Sequence, residues 1–376
     1  MTIAAIRNAR IVTPDAVLEG GLSVEDARIA QVDPGAGSVG EDWEGDYCLP
    51  GLVELHTDHI ENHYKPRPGV VWEPALAAQA HDAQIAGAGI TTVFDALCVG
   101  MDGDRMGPDE LRALVRGVQD QQSKGLLRAE HFTHLRCEVS SPLVEEAYAA
   151  FDDEPSVRLV SLMDHTPGQR QFQSLDQHRF YYQGRHGLSD ADYLAFVERL
   201  TEQAAQHSDA NRRAIAGHAQ ARGVTLASHD DATPDHVAEA VRDGVAVAEF
   251  PTTVEAARLS AEAGMAVLMG APNIVRGGSH SGNVAAAELA SRDLLTVLSS
   301  DYVPYALLQS AFLLADLEGY DLPRAVRAVS KTPAEALGLD DRGAILAGRR
   351  ADLVRVHMDG SRPIVRAVYR AGRRVS

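Results

Sequence analysis

The chain contains the aliphatic run Gly51-Leu52-Val53-Glu54-Leu55, which leads directly into His56-Thr57-Asp58-His59-Ile60-Glu61-Asn62-His63. The run is short and preceded by a proline, a pattern typical of a buried β-strand. Side chains two positions apart on a strand share one face, so His56 and Asp58 point to the same side as the strand ends. An imidazole and a carboxylate placed in this way suit a divalent ion such as zinc or manganese. The alternative is a structural histidine at a strand terminus. Residues elsewhere in the chain are needed to distinguish a metal ligand from a structural histidine.

Seven further β-like runs follow, and helix-like stretches separate them, an alternation typical of a parallel α/β fold. The eight runs are Gly51–His56, Ile90–Ala96, Phe132–Val139, Val157–Asp164, Val224–Ser228, Val245–Phe250, Ala266–Met269 and Leu294–Ser299. Eight strand–helix units predict a closed, TIM-like (β/α)8 barrel over residues 51–340. In such a barrel the chemistry lies at the C-terminal ends of the strands.

Both ends of the chain have a different character. Residues 1–50 and 341–376 carry short alternating runs that glycines and prolines interrupt. Neither end is long enough to bury a core of its own. We therefore predict that the two ends join in one small β-domain beside the barrel.

The composition limits the partners and the compartment. The formal charge of -18 argues against nucleic acid and anionic membrane surfaces as partners. No apolar run approaches the roughly 18 residues of a membrane span, and the first residues lack the apolar region of a signal peptide. We therefore expect a cytoplasmic protein. The three cysteines are widely spaced and predict no disulfide framework, and homo-oligomer formation is left open.

Residues with metal-ligand chemistry recur where the predicted strands end. They are His56, Asp58, Glu138, His165, His229 and Asp301. Three histidines and three carboxylates at one barrel mouth are hard to explain as packing, so we predict a centre of one or two divalent metal ions. Glu138 can bridge two ions. Asp301 is the candidate catalytic base, which takes a proton while the metal activates a water.

A second set of residues is suited to phosphate. It consists of Lys65 and Arg67 after the first motif, and of Arg276, Ser279, His280 and Asn283 after the seventh run. Glycines in these segments let the backbone approach a ligand, arginine donates in pairs, and the other side chains add neutral donors. The alternative is a pair of plain Gly-rich turns. We predict that these residues bind a small phosphorylated substrate.

Five strings together make the chain resemble the amidohydrolase superfamily. They are Leu49–Asp58, Lys65–Val70, Leu162–Gln169, Ala248–Thr253 and Ser299–Tyr302. The resemblance implies a metal-dependent hydrolase. Within the superfamily it points to members that split a ribosyl methylphosphonate triphosphate into the 5-phosphate and diphosphate during phosphonate catabolism.

The chain departs from the wider superfamily pattern at two points, and the strand numbering of two ligands also differs. The first strand carries His-x-Asp where most members carry His-x-His, and Glu138 stands where many have a carboxylated lysine. Our strand count places His165 and His229 at strands four and five, whereas the superfamily usually draws these ligands from strands five and six. A carboxylate in place of an imidazole favours harder ions such as manganese.

Two other functions are compatible with the same metal site. A cyclic-amide hydrolase or deaminase would use the metal, but it would not need Lys65, Arg67 and Arg276 at one mouth. A non-catalytic metal-binding protein would need no base, and Asp301 would then be only a ligand. Release of phosphate or diphosphate from a triphosphate would distinguish these functions from the one that the resemblance implies.

Overall fold

The computed structural model of the protein describes residues 2–34, 39–101, 106–168, 170–171, 176, 178–179, 183, 189–279 and 282–376. These residues form two sheets. Strands from both chain ends build one of them, and the strands between them build the other.

The first sheet brings the two chain ends together. Its strands are β1 (Ala5–Val12), β2 (Val17–Glu25), β3 (Arg28–Pro34), β4 (Glu41–Asp42), β5 (Tyr47–Pro50), β14 (Leu353–Asp359), β15 (Arg362–Arg370) and β16 (Arg373–Arg374). The junction is the antiparallel pairing of β5 with β14, which joins an early strand to a late one. Buried side chains from both ends, among them Ile11, Trp43 and Tyr369, share one core, which neither end could form alone.

The second sheet is the barrel. Its strands are β6 (Leu52–Thr57), β7 (Ile90–Val99), β8 (Glu130–Glu138), β9 (Val157–Met163), β10 (Thr225–His229), β11 (Val247–Glu249), β12 (Ala266–Gly270) and β13 (Val297–Ser299). They pair in chain order, all parallel. The chain after β13 returns to β6, where the Asp301 amide donates to the His56 carbonyl at 3.0 Å.

The predicted fold class is therefore confirmed. Each of the eight predicted runs overlaps one barrel strand in the same order, so His165 follows the fourth strand and His229 ends the fifth. The sheet formed by the chain ends is also present. The domain boundaries, residues 1–50 with 341–376 and residues 51–340, stay predictions.

Helices cover the outside of the barrel. They are α1 (Ile60–Tyr64), α2 (Pro74–Gly87), α3 (Pro108–Ser123), α4 (Val144–Ala149), α5 (Asp190–Ala221), α6 (Pro234–Arg242), α7 (Val254–Glu262), α8 (Ala271–Arg276), α9 (Ala286–Ser291), α10 (Ala306–Ala315), α11 (Leu322–Arg327) and α12 (Lys331–Ala336). Several begin at a side-chain cap; Thr233 and Thr253, for example, each accept a hydrogen bond from a backbone amide in the first turn. None of the helices described is both long and apolar enough to cross a bilayer.

The barrel strands are buried on both faces, as a barrel wrapped in helices requires. Every residue of β6 and β7 is buried. Inward-facing side chains such as Val53, Phe94 and Leu268 fill the interior. A packed interior leaves the polar strand ends at the mouth as the place for chemistry.

Candidate active site at the barrel mouth

The sequence brings the polar residues to one edge because parallel strands end at the same side of the barrel. His56 lies near the end of β6, and Glu138, His229 and Glu249 are the last residues of β8, β10 and β11. Four more residues come directly after a strand or within two positions of its end: Asp58, His165, Asp230 and Asp301.

The first group of candidate ligands consists of His56, Asp58 and Asp301. One ligand atom from each lies within 4.8 Å of the other two. Nε2 of His56 is 3.7 Å from Oδ1 of Asp58. Asp301 turns into the mouth with a φ of 55°, a left-handed conformation that Asp tolerates better than most residues. All three belong to the metal set predicted from the sequence.

The second group consists of His165, His229 and Asp230, again with ligand atoms within 4.8 Å of one another. Oδ2 of Asp230 lies 3.3 Å from Nε2 of His229. This oxygen is buried and has no hydrogen-bond partner among the described residues, so it is an acceptor that a cation could satisfy. The His56 and His229 rings stack with centroids 5.7 Å apart, which places the two groups side by side.

Glu249 lies beneath both groups and orients their histidines. Its Oε1 is 3.1 Å from Nδ1 of His56, and its Oε2 is 3.3 Å from Nδ1 of His229. When Nδ1 of each ring donates to this carboxylate, each Nε2 is left as a lone pair for a metal. Burial opposes ionisation of Glu249, but the neighbouring histidines outweigh burial and hold its pKa well below the usual value.

Glu138, the predicted bridge between two ions, contacts His165. Its Oε2 is 2.5 Å from Nδ1 of His165, and Ser140 donates to its Oε1 at 2.6 Å. Burial would raise the pKa of Glu138, but His165 outweighs it and the pKa is lowered. In this geometry Glu138 orients one candidate ligand, and its bridging role stays a prediction.

Arg136 is a buried cation in the same mouth. Its Nη1 donates to both oxygens of Asp58, at 2.5 Å and 2.7 Å. Asp58 is therefore a candidate metal ligand and the partner of a fixed positive charge. Arg136 was not among the residues predicted from the sequence, because it lies within the third run, two residues before the strand end.

Asp301, the candidate base, has an unusual environment. Burial, reinforced by the nearby Asp58 carboxylate, raises the pKa of Asp301 to about 6. A carboxyl group with this pKa is mainly ionised at neutral pH and yet holds a proton more strongly than an exposed Asp. Both properties suit a group that has to accept a proton during a reaction.

The predicted phosphate-binding residues come from two segments of the chain, one after β6 and one after β12. Lys65 pairs with Glu110 of α3 at 2.8 Å, and Arg67 is exposed in the turn that follows. Arg276, the last residue of α8, donates to the Tyr302 hydroxyl at 3.5 Å, beside Asp301. Ser279 is partly exposed after the same helix; Asn283 donates to the Gln171 carbonyl at 3.4 Å. His280 lies outside the described residues.

Two further residues, Glu249 and Asp230, were missed although the sequence carried a signal for them. Asp230 directly follows His229, and Glu249 is the next-to-last residue of the sixth run and the last residue of β11. The rule that pointed to His56 and Asp58, which is to inspect every strand end, would have found both.

Comparisons with known proteins identify the family. Residues 83–375 match the model of an amidohydrolase family. A protein of Escherichia coli (strain K12), "Alpha-D-ribose 1-methylphosphonate 5-triphosphate diphosphatase", is 46% identical over 98% of this chain and 99% of its own length.

Solved structures share the fold at lower identity. An N-acetyl-D-glucosamine-6-phosphate deacetylase from Mycobacterium smegmatis superimposes with a TM-score of 0.66 at 20% identity, covering 100% of both chains. A 5-methylcytosine deaminase from Klebsiella pneumoniae gives 0.63 at 16% identity, over 99% of this chain and 97% of that one. At these identities the likeness shows the fold alone.

Proposed function

The chain belongs to the amidohydrolase family, and we propose that it is a metal-dependent diphosphatase that hydrolyses alpha-D-ribose 1-methylphosphonate 5-triphosphate to the ribosyl 5-phosphate and diphosphate. The observation that carries the proposal is the near full-length similarity to the Escherichia coli enzyme of that name. The arrangement of the barrel mouth supports it, because the mouth combines candidate metal ligands, a candidate base and cationic side chains.

The donor set fits a divalent metal. Two adjacent groups of imidazole and carboxylate donors, with Glu249 beneath them, offer the mixed ligands that zinc and manganese accept. We propose that His56, Asp58 and Asp301 hold one ion and that His165, His229 and Asp230 hold a second. When bound, such ions lower the pKa of water and polarise a phosphoryl oxygen.

The protein's own side chains supply the proton acceptor and a fixed positive charge. Asp301 accepts the proton of the attacking water. Arg136 is held in place by Asp58, and we propose that its charge offsets the negative charge that develops on the phosphoryl group. A charge that is positioned before the reaction requires no reorganisation during it.

Cations at the rim are suited to recognising the polyphosphate. The protein as a whole is strongly acidic, so a substrate with several negative charges needs local positive groups. We propose that Arg276, next to Tyr302, binds the phosphates that leave, together with Lys65 and Arg67. Because such a multiply charged substrate does not cross a bilayer unaided, we place the enzyme in the cytoplasm.

The proposal is tested by incubating the zinc-loaded or manganese-loaded protein with the ribosyl triphosphate and measuring diphosphate. We expect release of one diphosphate per substrate, and a much slower reaction with a nucleoside triphosphate. His229→Ala should abolish release, whereas the matched variant His207→Ala, on α5 and not among the candidate ligands, should retain it. Release of monophosphate alone, or no turnover with either metal, would contradict the proposal.

A further inference from the structure

Three histidines that the proposed reaction does not use converge beside the barrel. His59 is the residue before α1, His63 lies four residues later within it, and His81 lies on α2. One ligand nitrogen from each lies within 4.8 Å of the other two. The ring centroids are 5.0 Å apart for His59 and His63, and 5.9 Å from each of these to His81.

Each of these histidines has a ring nitrogen without a partner. Nδ1 of His59, Nε2 of His63 and Nδ1 of His81 are buried and have no hydrogen-bond partner among the described residues. A buried polar atom without a partner is costly, so such atoms usually mark a site that binds something else. Three of them in one place can share one ion when each ring presents its lone pair there.

The environment of His81 fixes which nitrogen faces the cluster. Its Nε2 lies 2.8 Å from Oδ1 of Asp95 and donates to that carboxylate. Its Nδ1 therefore carries a lone pair. A carboxylate behind a histidine is the usual support for a metal-binding imidazole, because it sets the tautomer and the ring orientation.

Asp95 is itself part of a buried polar chain. Its Oδ2 lies 2.8 Å from Nδ1 of His131, whose Nε2 is 3.3 Å from Asp82. Asp82 also accepts from the backbone amides of Arg128 and Ala129. Asp82 also accepts from the Arg128 guanidinium at 3.1 Å, so Asp95 is the carboxylate directly behind His81, and it holds the ring in its orientation.

The cluster lies outside the barrel mouth. Phe94 of β7 faces the barrel interior, and the next residue, Asp95, therefore points outward to the helices. The three histidines thus lie between α1, α2 and the outer wall of the barrel.

We infer that His59, His63 and His81 bind a divalent transition-metal ion at a site separate from the barrel mouth. Three neutral imidazoles are a ligand set that zinc takes in tetrahedral geometry, with water in the fourth position. The site does not depend on the proposed function, because none of its ligands belongs to the mouth. An ion here ties α1 to α2 and steadies the segment that begins after Asp58.

The test measures bound metal in a protein whose barrel mouth has lost two of its proposed metal ligands. We use His56→Ala combined with His229→Ala, add zinc, dialyse and measure bound zinc by mass spectrometry. We expect one zinc per chain to remain. Adding His63→Ala should remove it, and adding His207→Ala instead should leave it in place. Equal zinc content with and without His63 would overturn the inference.

A second measurement covers the case in which the double variant does not fold. In the otherwise unaltered protein, His63→Gln should lower the zinc content by one ion per chain relative to the wild type and to His207→Ala. It should also reduce the rise in melting temperature that zinc gives, because a ligand that binds only the folded state stabilises it. An unchanged zinc content and melting response would again overturn the inference.

Discussion

Nη1 of Arg136 lies 2.5 Å and 2.7 Å from the two carboxylate oxygens of Asp58, so a buried cation contacts a candidate metal ligand. The pair holds the Asp58 side chain toward the mouth. It also keeps one positive charge close to four other residues of the mouth. The charge of Arg136 acts to lower the pKa of each of them, namely His56, His165, His229 and Asp301.

Arg136→Gln removes this charge without a large change in size. We expect kcat/KM for the triphosphate to fall by roughly 10²–10³, the usual effect of losing one group that stabilises developing negative charge. Metal content should not fall, because Asp58 becomes freer to bind an ion. Arg136→Lys keeps the charge but loses the planar group, so it should recover only part of the activity. A Gln variant with normal kcat/KM would show that Arg136 only supports the fold.

Asp301→Asn tests the candidate base. The amide keeps the shape of the side chain but cannot take a proton, so kcat should fall by roughly a hundredfold or more while substrate binding survives. Turnover is measured at saturating substrate and metal, and binding is measured by calorimetry. Tyr302→Phe is the neighbouring control and should have a much smaller effect on kcat. Nearly normal turnover in the Asn variant would exclude Asp301 as the base.

Glu249→Gln tests whether this residue orients the metal-binding histidines. A carboxylate accepts from both His56 and His229, whereas an amide has only one acceptor oxygen and turns an N–H toward the other ring. We expect metal affinity to fall by roughly 10–100-fold, as is usual for the partner of a metal-binding histidine. Glu255→Gln, exposed on α7, is the matched control. Equal affinity in the two variants would contradict the assignment.

The barrel could be predicted from the sequence because buried parallel strands leave continuous aliphatic runs, and all eight were recognised in order. The chain ends were also predictable, since neither could bury a core alone. Residues such as His56 and Asp301 stood out because they interrupt or follow these runs. The position of a residue at a strand end places it at the mouth, but it does not show which other residues of the mouth it contacts.

The residues that were missed depend on contacts across the barrel. Arg136 lies inside a run, and its partner Asp58 is 78 positions away in the sequence. Glu249 reaches His56 over 193 positions. The side-chain period of a strand says which face a residue occupies, but it does not say which residue of a distant strand it meets. The pairing of Lys65 with Glu110, 45 positions away, was hidden for the same reason.

His131 gives the protein a stability that depends on pH. Burial disfavours its charged form, but the carboxylates of Asp95 and Asp82 outweigh burial and raise the pKa of His131 to about 9. The folded state therefore binds a proton more strongly than the unfolded chain, whose histidine titrates near 6.5. The stabilisation is fully present below pH 6.5 and is lost as the pH rises through about 9.

The comparison is with His131→Gln, which cannot be protonated. Melting temperatures of both proteins should be measured from pH 6 to pH 9.5 in the presence of a chelator. We expect the advantage of the wild type over the variant to shrink steadily across this range. An advantage that stays constant with pH would mean that His131 is neutral in the folded protein.

The most direct test of the proposed function follows the reaction by phosphorus NMR in heavy-oxygen water. Diphosphate is a stable leaving group that Arg276 and its neighbours can neutralise, so we predict attack of water on the α-phosphorus. The ribosyl triphosphate should give the 5-phosphate and diphosphate in equal amounts, with the label in the 5-phosphate alone. Label in the diphosphate would place the attack on the β-phosphorus, and the absence of diphosphate among the products would contradict the assigned function.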